Sequence, residues 1–129
     1  MKDIFFRGKQ KDSNKWIEGY FFKSWDRTFI LWGTTNDNPD MIEVIPETVS
    51  QFTGLVDRYG KKIFEGDIVN IVTGIHGYTS TYRSAIHEVK YIAEGGIAVF
   101  LPFDNSSIVE VEVIGNIYDN KELLENDQL

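Results

Sequence analysis

The shortness of its apolar runs constrains this chain more than any other feature. Segments rich in Ile, Val, Phe, Tyr and Trp recur along its 129 residues, and clusters of Gly, Asn, Asp, Ser and Pro break each one. Such spacing suits strands joined by turns and leaves little room for helices. The runs are Ile4–Arg7, Trp16–Phe22, Thr28–Trp32, Met41–Ile45, Ile68–Val72, Ala85–Ala93, Ile97–Leu101 and Ile108–Ile114. Pro46 ends the fourth, because proline has no amide for a ladder. The last alternates most cleanly, with Val109, Val111 and Val113 predicted inward and Glu110 and Glu112 outward. One segment reads as helical, a short turn through Leu123, Leu124 and Glu125 capped by Asp119 or Asn120.

The breaks between runs are of several kinds. Lys9–Lys15 holds the turn cluster Asp12-Ser13-Asn14, and Ser24–Arg27 is a tight turn. Glu94-Gly95-Gly96 reads as a hairpin turn. Gly33–Asp40 and Pro102–Ser107 are loops by composition. Thr73–Ser84 is predicted to be the longest loop, and a loop of that length in a compact domain is often functional.

Residues Phe52–Val69, FTGLVDRYGKKIFEGDIV, separate two halves of different character. Asp57-Arg58-Tyr59-Gly60 is a turn sequence, since Asp bonds its own backbone two residues on and Gly accepts a positive φ. Glu65-Gly66-Asp67 then bends the chain into the run Ile68–Val72. The fold expected is mainly β. An N-terminal antiparallel meander over residues 1–51 leads through a junction at 52–69 into a C-terminal, SH3-like small barrel over 67–125, closed by one short helix.

Composition excludes several function classes. The chain has no cysteine, so it has no disulfide, thiol nucleophile or thiolate metal site. It lacks a long apolar run and a signal-peptide pattern, which places it off the membrane and in the cytoplasm. Thirteen Lys and Arg against twenty Asp and Glu give a net charge of −7, which disfavours phosphate neutralisation as the main task. The charge is uneven: bases cluster at Lys2, Arg7, Lys9, Lys11 and Lys15, and acids dominate from Glu94 onward.

Recognisable catalytic chemistry is sparse. His76 lies in a glycine-containing loop and His87 in a strand, neither in a motif that pairs a base with a nucleophile. Gly74-Ile75-His76-Gly77 lacks the Lys and following helix of a phosphate loop. Glu47, Glu65 and Asp67 are the carboxylates available for hydrolysis, and Glu65 and Asp67 read first as turn and strand-edge residues. No catalytic, cofactor-binding or metal-ligating residue is assigned, and no enzyme is expected. The candidate interaction surface comprises His76, Tyr78, Tyr82 and Arg83 of the long loop with Glu65 and Asp67. Trp16, Tyr20, Phe22, Trp25 and Trp32 read as core, with a stacking platform for single-stranded nucleic acid as the alternative.

Three blocks carry a family resemblance. The first is Ile4-Phe5-Phe6-Arg7-Gly8-Lys9 with Trp16-Ile17-Glu18-Gly19-Tyr20. The second runs from Val44-Ile45-Pro46-Glu47-Thr48-Val49-Ser50-Gln51-Phe52-Thr53-Gly54-Leu55, through Asp57, to Gly60-Lys61-Lys62-Ile63-Phe64-Glu65-Gly66-Asp67-Ile68-Val69. The third is Glu112-Val113-Ile114-Gly115-Asn116-Ile117-Tyr118-Asp119-Asn120 with Leu123-Leu124. In this order and over nearly the full length they resemble the YopX family of small proteins from phages and prophages of Gram-positive bacteria. Arg58-Tyr59 stand where the family commonly has Lys-Asn, and Lys121 where it often has Pro. The resemblance implies a mostly β protein of phage origin and transfers no activity and no site residues.

The expected function is therefore a non-enzymatic accessory protein that binds a host or phage protein. Exposed strand edges add an expectation of a homo-oligomer. A nucleic-acid-binding barrel and an acidic mimic of DNA are the alternatives.

Overall fold

A computed structural model describes residues 6–75, 81–94, 97–103 and 107–126. The expectation of a mainly β chain holds: the described strands form three sheets, and one short helix accompanies them. The chain divides into two units, Met1–Gly54 and Leu55–Leu129.

The first unit contains β1 (Phe6–Lys9), β2 (Trp16–Ser24), β3 (Arg27–Thr35), β4 (Asn38–Glu43) and the start of β5 (Ser50–Val56). These strands pair antiparallel in the order β4-β3-β2-β1-β5, so the meander is present. The end of β4 returns to the end of β1 through a bridge between Gln10 and Val44 and an Ile45 N–H bond to the Lys9 carbonyl at 2.9 Å. Ile30, Thr28 and Val44 are buried. Gly19 is required where β2 meets β3, because a Cβ there would stand 2.2 Å from the Leu31 carbonyl oxygen.

The Gly33–Asp40 loop is corrected to a hairpin. Thr34 pairs with Pro39 and Thr35 with Asn38, and only Asn36 and Asp37 turn, at φ 52° and 66°. Two successive left-handed residues are what the tight primed hairpin turn requires, and Asn and Asp tolerate them. The segment looks like a loop because these strand ends are exposed and carry polar side chains.

After β4 the chain makes a 3-10 turn at Pro46–Thr48. Thr48 is buried; its Oγ1 donates to the Ile45 carbonyl and accepts the Lys9 N–H at 2.9 Å. Ser50, also buried, donates its hydroxyl to the Thr48 carbonyl at 2.9 Å. The Pro-Glu-Thr-Val-Ser segment thus tethers the entry of β5 to β1.

The second unit continues with β6 (Lys62–Phe64), β7 (Asp67–Ile75), β8 (Thr81–Glu88), β9 (Lys90–Glu94), β10 (Ile97–Leu101), β11 (Ile108–Asn116) and α1 (Glu122–Asn126). One sheet has the order β11-β7-β8, and β9 and β10 form a hairpin. Ile63, Val69, Ile71 and Val89 make the buried core, with Phe100, Phe103, Ile108, Val111 and Val113 packed against it.

Four expectations need correction in this unit. The loop at Thr73–Ser84 is shorter than predicted, because Thr73 pairs with Arg83, Gly74 with Tyr82 and Ile75 with Thr81; residues 76–80 lie outside the described set. The run Ala85–Ala93 is two strands, divided at Val89. Its N–H donates to the Asp67 carbonyl and its carbonyl accepts the Gly66 N–H, both at 2.8 Å, and its side chain is fully buried.

The third correction concerns β11. Ile108 pairs with Thr73 and Glu110 with Val72, so Val109 is a bulge residue with no partner in the ladder. The bulge turns Val109 outward, 55% exposed, and puts Ile108 on the core beside Val111 and Val113. The helix is present, but Asn120 does not cap it with its side chain. The Asn120 Oδ1 instead accepts the Asn116 N–H at 3.2 Å.

Candidate interaction surface

The charged and glycine-containing stretch at residues 57–67 is spent on the fold. Asp57 is buried and accepts three backbone N–H groups, Tyr59 and Lys61 on Oδ1 at 2.9 Å each and Val113 on Oδ2 at 3.0 Å. Burial alone would push this carboxyl up. The amides of Val113, Lys61 and Tyr59, with the Lys61 charge, overcome it and hold Asp57 below the ordinary carboxylate value. Arg58 ties the same turn to β11, donating its N–H to the Val111 carbonyl at 2.9 Å and meeting Glu110 at 3.1 Å.

The second bend is equally internal. Gly66 has φ 86°, the conformation that the third residue of a type II turn needs. Asp67 is 1% exposed, and its Oδ2 accepts the Phe64 N–H at 2.8 Å across the bend. Ile117 donates its N–H to the Gly66 carbonyl at 2.9 Å. Asp67 therefore presents no surface to a partner, and Glu65 sits half-buried at the bend.

Of the remaining candidates, His76 and Tyr78 lie outside the described residues. Tyr82 and Arg83 are exposed on β8. Tyr82 stands opposite Gly74 and would touch a Cβ there at 3.4 Å, so its ring covers the gap in β7 that the glycine leaves. Glu47 is exposed on the 3-10 turn and His87 on β8. No group of three or more His, Asp or Glu that could hold a metal occurs among the described residues. No described helix is long and apolar enough to cross a membrane.

Of the aromatic residues that sequence reasoning placed in the core, Trp16 is half-buried, and Tyr20, Phe22, Trp25 and Trp32 are on the outside of the first unit. Cross-strand partners share one face of a sheet. Tyr20, Leu31 and Met41 form one row across β2, β3 and β4, and Phe22, Phe29 and Glu43 form the next. The opposite face holds the buried Thr28 and Ile30. Tyr20 is 62% exposed, Met41 44% and Phe22 37%. The rings of Phe22 and Phe29 stack at 5.3 Å.

Charges border these rows. Arg27 lies over the Phe29 ring at 5.0 Å and bonds Glu43 at 2.9 Å, while Lys11 reaches the other Glu43 oxygen at 3.3 Å. The Arg27 hydrogen bond, more than any other contact, holds the Glu43 carboxylate below its ordinary value. At the tip of the β2–β3 hairpin Trp25 is fully exposed, with φ 60°. A bulky residue is rare in that conformation, and an exposed Trp gains nothing from burial there. Strand periodicity alone could not separate this face from the core, because both faces of β2 carry aromatic residues.

The YopX protein family model matches residues 5–125, nearly the whole chain. The chain belongs to the YopX family. No curated protein matches it. Among solved structures it is similar to protein EF1440 from Enterococcus faecalis, with 22% identity and a TM-score of 0.54, over 96% of this chain and 99% of that one. At that identity the likeness speaks for the fold alone. The YopX block from Val44 to Val69 contains Thr48, Ser50, Asp57, Gly66 and Asp67, each engaged by its own backbone surroundings. These residues of the YopX block thus serve as internal tethers.

Proposed function

We propose that this YopX protein is a non-enzymatic interaction module, a phage or prophage accessory protein that works in the host cytoplasm by binding another protein. One observation carries the reading: Tyr20, Phe22, Phe29, Leu31 and Met41 form a contiguous, partly exposed apolar face with Trp25 at its end. A contiguous apolar patch on a small soluble domain marks a contact surface, and Tyr and Trp dominate binding energy where they are buried by a partner. The buried carboxylates serve backbone amides and are poorly placed for chemistry on a substrate.

The test is affinity capture from host lysate with the wild type and with Tyr20→Ser/Met41→Ser side by side. A protein retained by the wild type and lost by the variant supports the reading. Equal capture by both, with no change in self-association between them, overturns it.

A cation–π contact favours a second reading, a single-strand nucleic-acid platform. Arg27, whose side chain is exposed, lies over the Phe29 ring at 5.0 Å on the exposed aromatic face. Titration of labelled single-stranded DNA and RNA at low salt decides this: saturable binding that weakens with salt supports it, and no binding removes it.

A further inference from the structure

We infer that the partner seated on the Tyr20–Met41 face is a second copy of this chain, paired about a two-fold axis. The inference rests on the interaction-module reading and names its occupant. Two observations support it, and both concern charge.

The first is the border of the apolar rows. A partner of strong single charge would be met by a rim of the opposite sign, which steers encounter and rejects wrong partners. This rim is mixed: Arg27 and Lys11 converge on Glu43, and Glu18 lies on the same face of β2. In a two-fold contact the same patch meets itself, so each rim charge needs an opposite charge within its own patch. Arg27 and Glu43 supply such a pair, 2.9 Å apart within one chain.

The second is where the charge of the chain resides. Up to Gly54 there are seven basic and eight acidic residues; beyond it there are six and twelve. The unit that carries the apolar face is therefore close to neutral, although the whole chain is at −7. Self-association through a strongly acidic surface would gather like charge at the contact. Through the first unit it gathers almost none, while the apolar rows lose water.

The experiment is sedimentation velocity across protein concentration, on the wild type, on Tyr20→Ser/Met41→Ser and on Thr81→Ser, an exposed change on β8. The chain has a mass of 14.9 kDa, and the expected result is about twice that mass for wild type and Thr81→Ser. The double variant is expected at the monomer mass with an unchanged far-UV circular dichroism spectrum. A monomeric wild type at all concentrations overturns the inference, as does a dimer that survives folded in the double variant. The two failures are separable: a monomeric wild type whose lysate partner is still lost by Tyr20→Ser/Met41→Ser sinks self-pairing alone. A face whose variants alter neither mass nor capture sinks the interaction reading as well.

Discussion

The Asp57 carboxylate accepts the amide of Val113 at 3.0 Å, across 56 positions of sequence, and so fastens the turn before β6 to the middle of β11. The same carboxylate holds the Tyr59 and Lys61 amides. Removing it leaves three donors without their acceptor. Asp57→Ala is expected to lower unfolding stability by about 2–4 kcal/mol, the range for stranding partly buried donors of charge-assisted bonds. Urea denaturation of the two proteins measures this.

The pH dependence has a definite sign. Asp57 is held below its ordinary value in the folded protein, so the unfolded chain takes up its proton first as pH falls. Its contribution is whole above the unfolded carboxylate value of about 3.9 and disappears as pH drops through the lower folded value. Thermal melts of wild type and Asp57→Asn from pH 7 to pH 3 should show a gap that narrows at the acid end. A gap that widens there would contradict this account.

Gly60 and Gly66 both take left-handed backbone, at φ 81° and 86°, yet their surroundings differ. A Cβ on Gly60 meets nothing within 4 Å, and one on Gly66 meets Tyr118 at 3.3 Å and Ile117 beyond it. Gly60→Ala should cost about 1 kcal/mol, the backbone term alone. Gly66→Ala should cost more, by the displacement of Tyr118. Paired denaturant titrations rank the two.

Trp25 offers the opposite case. Its ring is fully exposed and its φ of 60° favours Asn over Trp, so Trp25→Asn should leave stability unchanged or raise it by up to about 1 kcal/mol. If the hairpin tip contributes to binding, the same variant loses affinity while its melting temperature holds or rises. Calorimetry and a binding titration on one preparation separate the effects.

Much of the fold was legible because local rules and tertiary structure agree. The turn at Asp57–Gly60, the bend at Gly66 and the hairpin at Ser24–Arg27 follow from residue chemistry. Other elements were hidden for physical reasons. Asn36 and Asp37 turn within a polar stretch whose ladder is solvated, so composition suggested a loop. Val89 divides β8 from β9 only because the Gly66–Asp67 bend, far away in sequence, claims its amide and carbonyl. The surface was misread for a similar reason: Tyr20 and Phe22 carry the aromatic signature of a core strand, and only the pairing with β3 shows that they face away from Ile30 and Thr28.

The bulge at Val109 has a consequence for how β11 tolerates changes in length. Ile108 and Glu110 already occupy consecutive rungs opposite Thr73 and Val72. Val109 is thus a spare link, and excising it leaves Ile108, Val111 and Val113 turned to the same side. Excising Glu112 instead, with Val113 held opposite Val69, would shift the phase of the residues before the cut and bring the Glu110 carboxylate opposite Ile71. Most of this strand counts in twos; the ladder skips a residue at two points, Val109 and Ile114, and at the first of them a single codon can come or go without the hydrophobic interior registering the loss.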